Sequence, residues 1–195
     1  GQSQNVIGEI VGRDPAAGAI VIGCHHDTQN NNVGADDNGS GVVSVLALAR
    51  YFAQQAQPPR RTLRFIAFGC EEQLSVGSCA YVKRHRRQLG KIAFVFNIDS
   101  IAAVLGHYAG FHTGGAQLPK YLTRILGTHG LDIAPRDEVC PFSDHFCFTA
   151  FGIPAYWPYK MSTSAGRWVH HSAHDNLDNV APDQVCHFLT AHAAL

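Results

Sequence analysis

Short runs of apolar residues alternate along this chain with longer stretches in which apolar residues recur every three or four positions. The runs at 6–11, 19–23, 62–68 and 91–98 are rich in β-branched and aromatic residues and bounded by Gly, Pro, Asn or Asp, which predicts strands. Residues 107–112 and 153–157 carry a weaker form of the same signal. The segment 40–57 is rich in Ala, Leu and Val, has no glycine after Gly41 and stops at Pro58-Pro59, which predicts a helix buried on at least one face. Residues 77–88 and 118–129 predict two more helices, the first with a basic outer face and the second closed by Gly130. A short helix over 144–150 and a last one over 182–194, with Pro182 in its first turn, complete the set. The turn-rich Gly12-Arg13-Asp14-Pro15-Ala16-Ala17-Gly18 joins the first two strands, so they are expected to be neighbours in an antiparallel hairpin. Thereafter strands alternate with helices. The expected fold class is α/β: a three-layer α/β/α arrangement with a mixed, mostly parallel central sheet.

Length and composition narrow the picture. A chain of 195 residues suits one domain, and 46% hydrophobic against 15% charged residues marks a well-buried globular chain. Fifteen basic residues balance fifteen acidic ones, so there is no general attraction for nucleic acid or an anionic membrane. The basic run Lys83-Arg84-His85-Arg86-Arg87 reads as an exposed helix face. No apolar stretch is long enough to span a bilayer. The chain enters its first strand almost at once and stops inside a helical pattern at Leu195. A single catalytic domain over 1–195, excised from a longer protein, is therefore expected. Cys24 and Cys70 read as small buried side chains. Cys140 and Cys147 could close a small loop in an oxidising compartment. The six cysteines show no spacing of a Cys-type zinc site.

The chemistry gathers at the predicted strand ends. Glu71 and Glu72 follow directly on the apolar run 63–70, and two carboxylates there are costly to hold together without a positive partner. His25-His26-Asp27 follows the second strand, Asp36-Asp37-Asn38 precedes a helix, Asp99 follows 91–98, and His171 stands near the end. Any one of these would pass as an ordinary loop residue. Together they mark one crevice, because ligand sites of α/β folds form beyond the carboxyl ends of strands. His25 and Asp27 are two apart on an extended segment and share a face, so Asp27 could orient His25 or accept its second ring proton. His26 points the other way and reads as structural. Of Asp36 and Asp37, only one can face the site. Oxygen and imidazole ligands without thiolate suit zinc, with manganese or cobalt as alternatives. Five ligands suit two ions bridged by one carboxylate.

The order His-x-Asp, Gly-Ala-Asp-Asp-Asn-Gly-Ser-Gly, Glu-Glu, Asn-Ile-Asp and a late His-x-x-x-Asp resembles the M28 family of zinc exopeptidases, from Asn5 to about Val180. The resemblance implies a metallo-aminopeptidase with two zinc ions and peptide substrates. By position, His25 and Asp99 resemble the ligands of one zinc, and Glu72 and His171 those of the other. Asp37 resembles the bridging carboxylate, whose peptide bond to the next residue, here Asn38, is often cis in that family. Glu71 resembles the general base and Asp27 the partner of the zinc-bound histidine. The resemblance also favours an extracytoplasmic location.

Two departures stand out. Many members have a tyrosine directly before the last histidine as oxyanion donor; here it is His170, and the role could pass to His170, Tyr156 or Tyr159. The helical segment that usually precedes the first strand is missing. The aromatic cluster Phe142, Phe146, Tyr156, Trp157, Tyr159 and Trp168 is read as mostly core, with one or two members lining a pocket for an apolar terminal residue. Segment 140–170 has only His145, Lys160, Arg167 and His170 as basic groups, with Arg136 just before it, too few arginines for a glutamate-releasing carboxypeptidase. A carboxypeptidase, a single-zinc glutaminyl cyclase and a non-catalytic receptor-type domain are the competing readings.

Overall fold

The computed structural model describes residues 1–161 and 169–195. Its elements run β1 (Val6–Ile10), β2 (Ala19–His25), α1 (Gly41–Ala53), β3 (Thr62–Phe68), α2 (Val76–Arg84), β4 (Ile92–Asn97), β5 (His107–Thr113), α3 (Gln117–Thr128), β6 (Ile133–Arg136), α4 (His145–Thr149), β7 (Ala155–Met161) and α5 (Pro182–His192). Among the described residues the strands form one sheet in the order β1-β3-β2-β4-β7-β5-β6. β2, β3, β4 and β7 run parallel to one another at its centre, while β1 and β5 are antiparallel to β3 and β7. The sheet is mixed, as the sequence led us to expect.

Side-chain parity sorts the core into two layers. Leu63 and Phe65 of β3 and Phe96 of β4 pack with Val45 and Leu48 of α1, Leu122 and Leu126 of α3, and Phe188 of α5. The alternate residues Ile66, Phe68 and Val95 pack with Tyr81 and Val82 of α2 and Phe148 of α4. Apolar residues on both faces of a strand make it central, because each face needs a helix layer over it. β2 is the clearest case, buried along almost its whole length. No helix among the described residues is long and apolar enough to cross a membrane.

Two expectations fail. The first two strands are not a hairpin: β3 lies between β1 and β2. The 12–18 connection passes the start of β3, where Arg13 and Asp14 donate their N–H groups to the carbonyls of Pro59 and Arg60. The half-polar β1, with Val6 and Ile7 about half exposed, takes the edge, and the fully apolar β2 takes the interior. Short linkage favours adjacency, but burial outweighs it here. The second failure is the cysteine pairing. Cys147 bonds to Cys79 of α2, Cα atoms 5.3 Å apart, and Cys140 is a free, half-buried thiol. Spacing in sequence carried no information about which side of α4 faces α2. β6 is too short and exposed for its pattern to reveal it.

Candidate metal centre

The centre sits beyond the carboxyl ends of β3, β2 and β4. His25 is the last residue of β2 and is 1% exposed. Its Nδ1–H donates to the main-chain carbonyl of Asp27 at 3.0 Å, which fixes the tautomer and aims the Nε2 lone pair inward. Nε2 lies 3.1 Å from Asp37 Oδ1 and 3.3 Å from Asp99 Oδ1. The carboxylate of Asp27 is 3.7 Å from that ring and does other work: its two oxygens accept the N–H groups of Glu71 and Glu72 at 3.0 and 3.2 Å. Asp27 therefore ties the end of β2 to the turn after β3.

Asp36 and Asp37 divide as parity required. In the kinked turn before α1, Asp36 points into the fold and accepts from the N–H groups of Ala102 and Ala103 at 2.6 and 3.1 Å. Asp37 points into the crevice. The Asp37–Asn38 peptide is cis. Asn38 anchors this turn through Nδ2 to the Ile98 carbonyl and through Oδ1 from the Gly41 N–H. A side chain at Gly41 would stand 2.5 Å from the Ile98 carbonyl oxygen, so only glycine lets the helix start this close to β4. Asp175 holds the other side, its two oxygens accepting from the N–H groups of Asp36 and Asp37 at 2.6 and 3.0 Å.

The two oxygens of Asp37 face opposite ways. Oδ1 meets His25; Oδ2 meets His171 Nε2 at 3.0 Å and His170 Nδ1 at 3.2 Å. Glu72 Oε2 closes the second group, 3.2 Å from His171 Nε2 and 2.8 Å from the Gln29 amide that donates to it. Glu71 stands beside the first group, Oε2 4.0 Å from His25 Nε2 and Oε1 accepting from the Ser75 hydroxyl at 3.2 Å. Asp99 is held from behind: Ser143 donates to its Oδ2 at 2.5 Å and itself accepts from the Asn97 amide at 2.7 Å.

This is a set of acceptors in want of a cation. Burial, then the nearby Asp99 charge, pushes the Glu71 carboxyl up to about 9. Burial by itself would lower the His25 pKa, yet Asp99, Asp27 and Asp37 raise it well above the ordinary imidazole value. Asp37, though buried, is held below the usual carboxylate range by His171 and His25. Among the described residues Glu72 Oε1 is buried without a hydrogen-bond partner. A divalent ion on each side of Asp37 would supply the missing positive charge, and the nitrogen and oxygen donors present are those zinc accepts. The residues fit such a pair.

All seven residues picked from the sequence, His25, Asp27, Asp37, Glu71, Glu72, Asp99 and His171, come together here. Tyr156 does not. It is fully buried on the opposite face of the sheet, donating to His192 Nε2 at 3.1 Å, so it is no oxyanion donor. One residue along, Trp157 has the other parity and reaches the centre, its Nε1 donating to the Asp99 carbonyl at 3.4 Å. Trp157 stacks with Phe111 and packs against His145 and Tyr159; Phe142 is exposed. Trp168 and Arg167 lie outside the described residues. Ser143, Asn97, Gln29 and Asp175 had no role in the sequence reading. Of these, Asn97 and Asp175 had a signal, as the first member of the Asn-Ile-Asp pattern and the last of the His-x-x-x-Asp pattern.

The profile of peptidase family M28 matches residues 5–195. Among characterised relatives, a vacuolar membrane protease of Candida dubliniensis is 26% identical over 97% of this chain and 20% of its own length. Leupeptin-inactivating enzyme 1 of Streptomyces exfoliatus is 27% identical over 90% of this chain and 44% of its own. Among solved structures, the LapA aminopeptidase of Legionella pneumophila superposes with a TM-score of 0.85 at 26% identity, covering 97% of this chain and 53% of that one. The chain thus spans about half or less of the length of these relatives.

Proposed function

Because this chain belongs to peptidase family M28, we propose that it hydrolyses the N-terminal peptide bond of peptides, with a preference for apolar residues, using two zinc ions bridged by Asp37. The observation that carries the reading is the two-sided use of Asp37: Oδ1 meets His25, which lies 3.3 Å from Asp99, and Oδ2 meets His171, which lies 3.2 Å from Glu72. His25 and Asp99 would hold one ion and Glu72 and His171 the other; manganese or cobalt could replace zinc. Ions so held lower the pKa of water and polarise a carbonyl.

The protein's own part follows from the geometry. Glu71 is beside the ligand cluster without belonging to it, and its Oε1 is fixed by Ser75. It is placed to take a proton from the attacking water at Oε2 and to pass it to the leaving amine. Asp27 sets the Glu71-Glu72 turn through both N–H groups. Surplus carboxylate at the crevice favours an incoming ammonium group over a carboxylate. The basic groups of the neighbouring segment do not oppose this: Lys160 is buried and bonded to Gln184, and His145 is buried against Trp157. The aromatic wall of Phe111, Trp157 and Tyr159 supports an apolar side-chain pocket.

The test is hydrolysis of Leu- and Phe-anilides beside their N-acetyl derivatives, with metal content measured on the same protein. The free-amine anilides should be cleaved and the blocked ones resist. Equal turnover of the blocked substrates, or release of a C-terminal glutamate alone, would refute the aminopeptidase reading.

A further inference from the structure

The two halves of the centre are not equivalent, and His170 is the reason. Successive side chains on extended backbone point to opposite faces, so an adjacent pair should not share a target. Here His171 has φ of 55°, in the left-handed region. That turn brings both rings to one side, stacked with centroids 3.7 Å apart and planes 21° from parallel. Both present a nitrogen to the same oxygen, Asp37 Oδ2, at 3.2 and 3.0 Å. The candidate ligand atoms of Asp37, His170 and His171 all lie within 4.8 Å of one another. Glu72 Oε2 completes this side at 3.2 Å from His171 Nε2.

We propose that His170 is itself a ligand of the cation on the His171 side, giving that half four protein donors while the His25 half has three. The inference rests on the two-ion reading above. Two imidazoles and two carboxylates form a full tetrahedral zinc set, the composition of a closed site. His25, Asp37 and Asp99 supply one nitrogen and two oxygens, the composition of a site that keeps a position open. The open half is the one next to Glu71, whose Oε2 is 4.0 Å from His25 Nε2. The His171 half therefore binds its ion more tightly, and the acid–base chemistry belongs to the His25 half.

The experiment is a titration of the metal-free protein with Zn2+ in competition with a chromophoric chelator, and with Co2+ followed by visible absorption. His170→Phe keeps a ring to stack on His171 but removes the donor; His170→Asn keeps a weaker donor near the same place. The expected result is that one of two dissociation constants rises at least about 10-fold in His170→Phe, the loss seen even for groups behind a ligand. The cobalt spectrum should change with it, His170→Asn should fall between, and the second constant should stay where it was. Wild-type constants and spectrum in both variants would overturn the proposal. Should the wild-type chain take up a single ion, the two-ion reading fails. The role of His170 is then still decided, by whether that one ion's constant and spectrum respond to the substitutions.

Discussion

Glu71 and Glu72 are adjacent, chemically identical side chains turned to different tasks. Glu72 faces His171 and Glu71 faces His25 without being drawn into the ligand group. Glu71→Gln should accordingly retain its metal, read by mass spectrometry, while activity falls by about 10²–10⁴-fold. Loss of metal in parallel with activity would mean the two roles are exchanged. Asp27 offers a sharper test. His25 is oriented by the main-chain carbonyl of Asp27, which survives substitution, whereas the Glu71-Glu72 turn hangs on the carboxylate. Asp27→Asn leaves one acceptor oxygen and sets an NH2 group against an N–H. It should lower kcat by about 10–100-fold and disturb metal content less. The opposite ranking would return the carboxylate to the histidine. At this scale parity made it legible that only one of Asp36 and Asp37 faces the crevice, and the family resemblance that it is Asp37. The sequence was silent on Ser143 and Gln29, because nothing local marks a hydroxyl or amide whose partner is a distant carboxylate.

Among the elements, alternation of strand and helix was readable and strand order was not. β1 looked like the mate of β2 because their loop is short, yet the deciding quantity is how much apolar surface each strand must hide. The pairing of α2 with α4 was equally hidden. The Cys79–Cys147 bond joins helices that follow the Glu71-Glu72 turn and Ser143, so it braces two of the loops around the centre. With its ends 68 positions apart in sequence, loop-closure entropy makes it worth about 2–4 kcal/mol. Cys79→Ser should lose stability of that order in denaturant unfolding, whereas Cys140→Ser should stay within about 0.5 kcal/mol. Peptide mapping without reductant should yield the 79–147 linkage; a 140–147 linkage would refute it.

For the molecule as a whole, acid tolerance is limited by histidines kept neutral inside it. His192 is buried, its Nδ1–H donating to the Phe188 carbonyl and its Nε2 accepting from Tyr156. Burial pushes its pKa down to about 3, against the pull of the Phe188 carbonyl, and burial likewise pushes His145 down to about 4 despite Asp99. Both titrate near 6.5 when unfolded. Between the folded and unfolded values the unfolded chain binds the extra proton. Stability from these groups is therefore full above about pH 6.5 and falls as the pH drops toward the folded values. For His192 alone the loss by pH 5 is about 2 kcal/mol. The difference in unfolding free energy between wild type and His192→Gln should shrink by that amount from pH 7 to pH 5. A constant difference would show that His192 is not held neutral.

The grip of Asp175 on the turn at Asp36 and Asp37 spans 139 and 138 residues. On the ribosome that distance is time. At about 5–20 residues per second, roughly 7–28 s pass between the emergence of the bridging carboxylate and that of the residue which fastens its turn. His171, four positions earlier, arrives with the same delay. From the emergence of Asp99 until that of His171, a nascent chain carries His25, Asp37, Glu71, Glu72 and Asp99 without the last residue of the centre. Assembly of the whole centre is thus deferred until these last residues emerge, by their order along the chain.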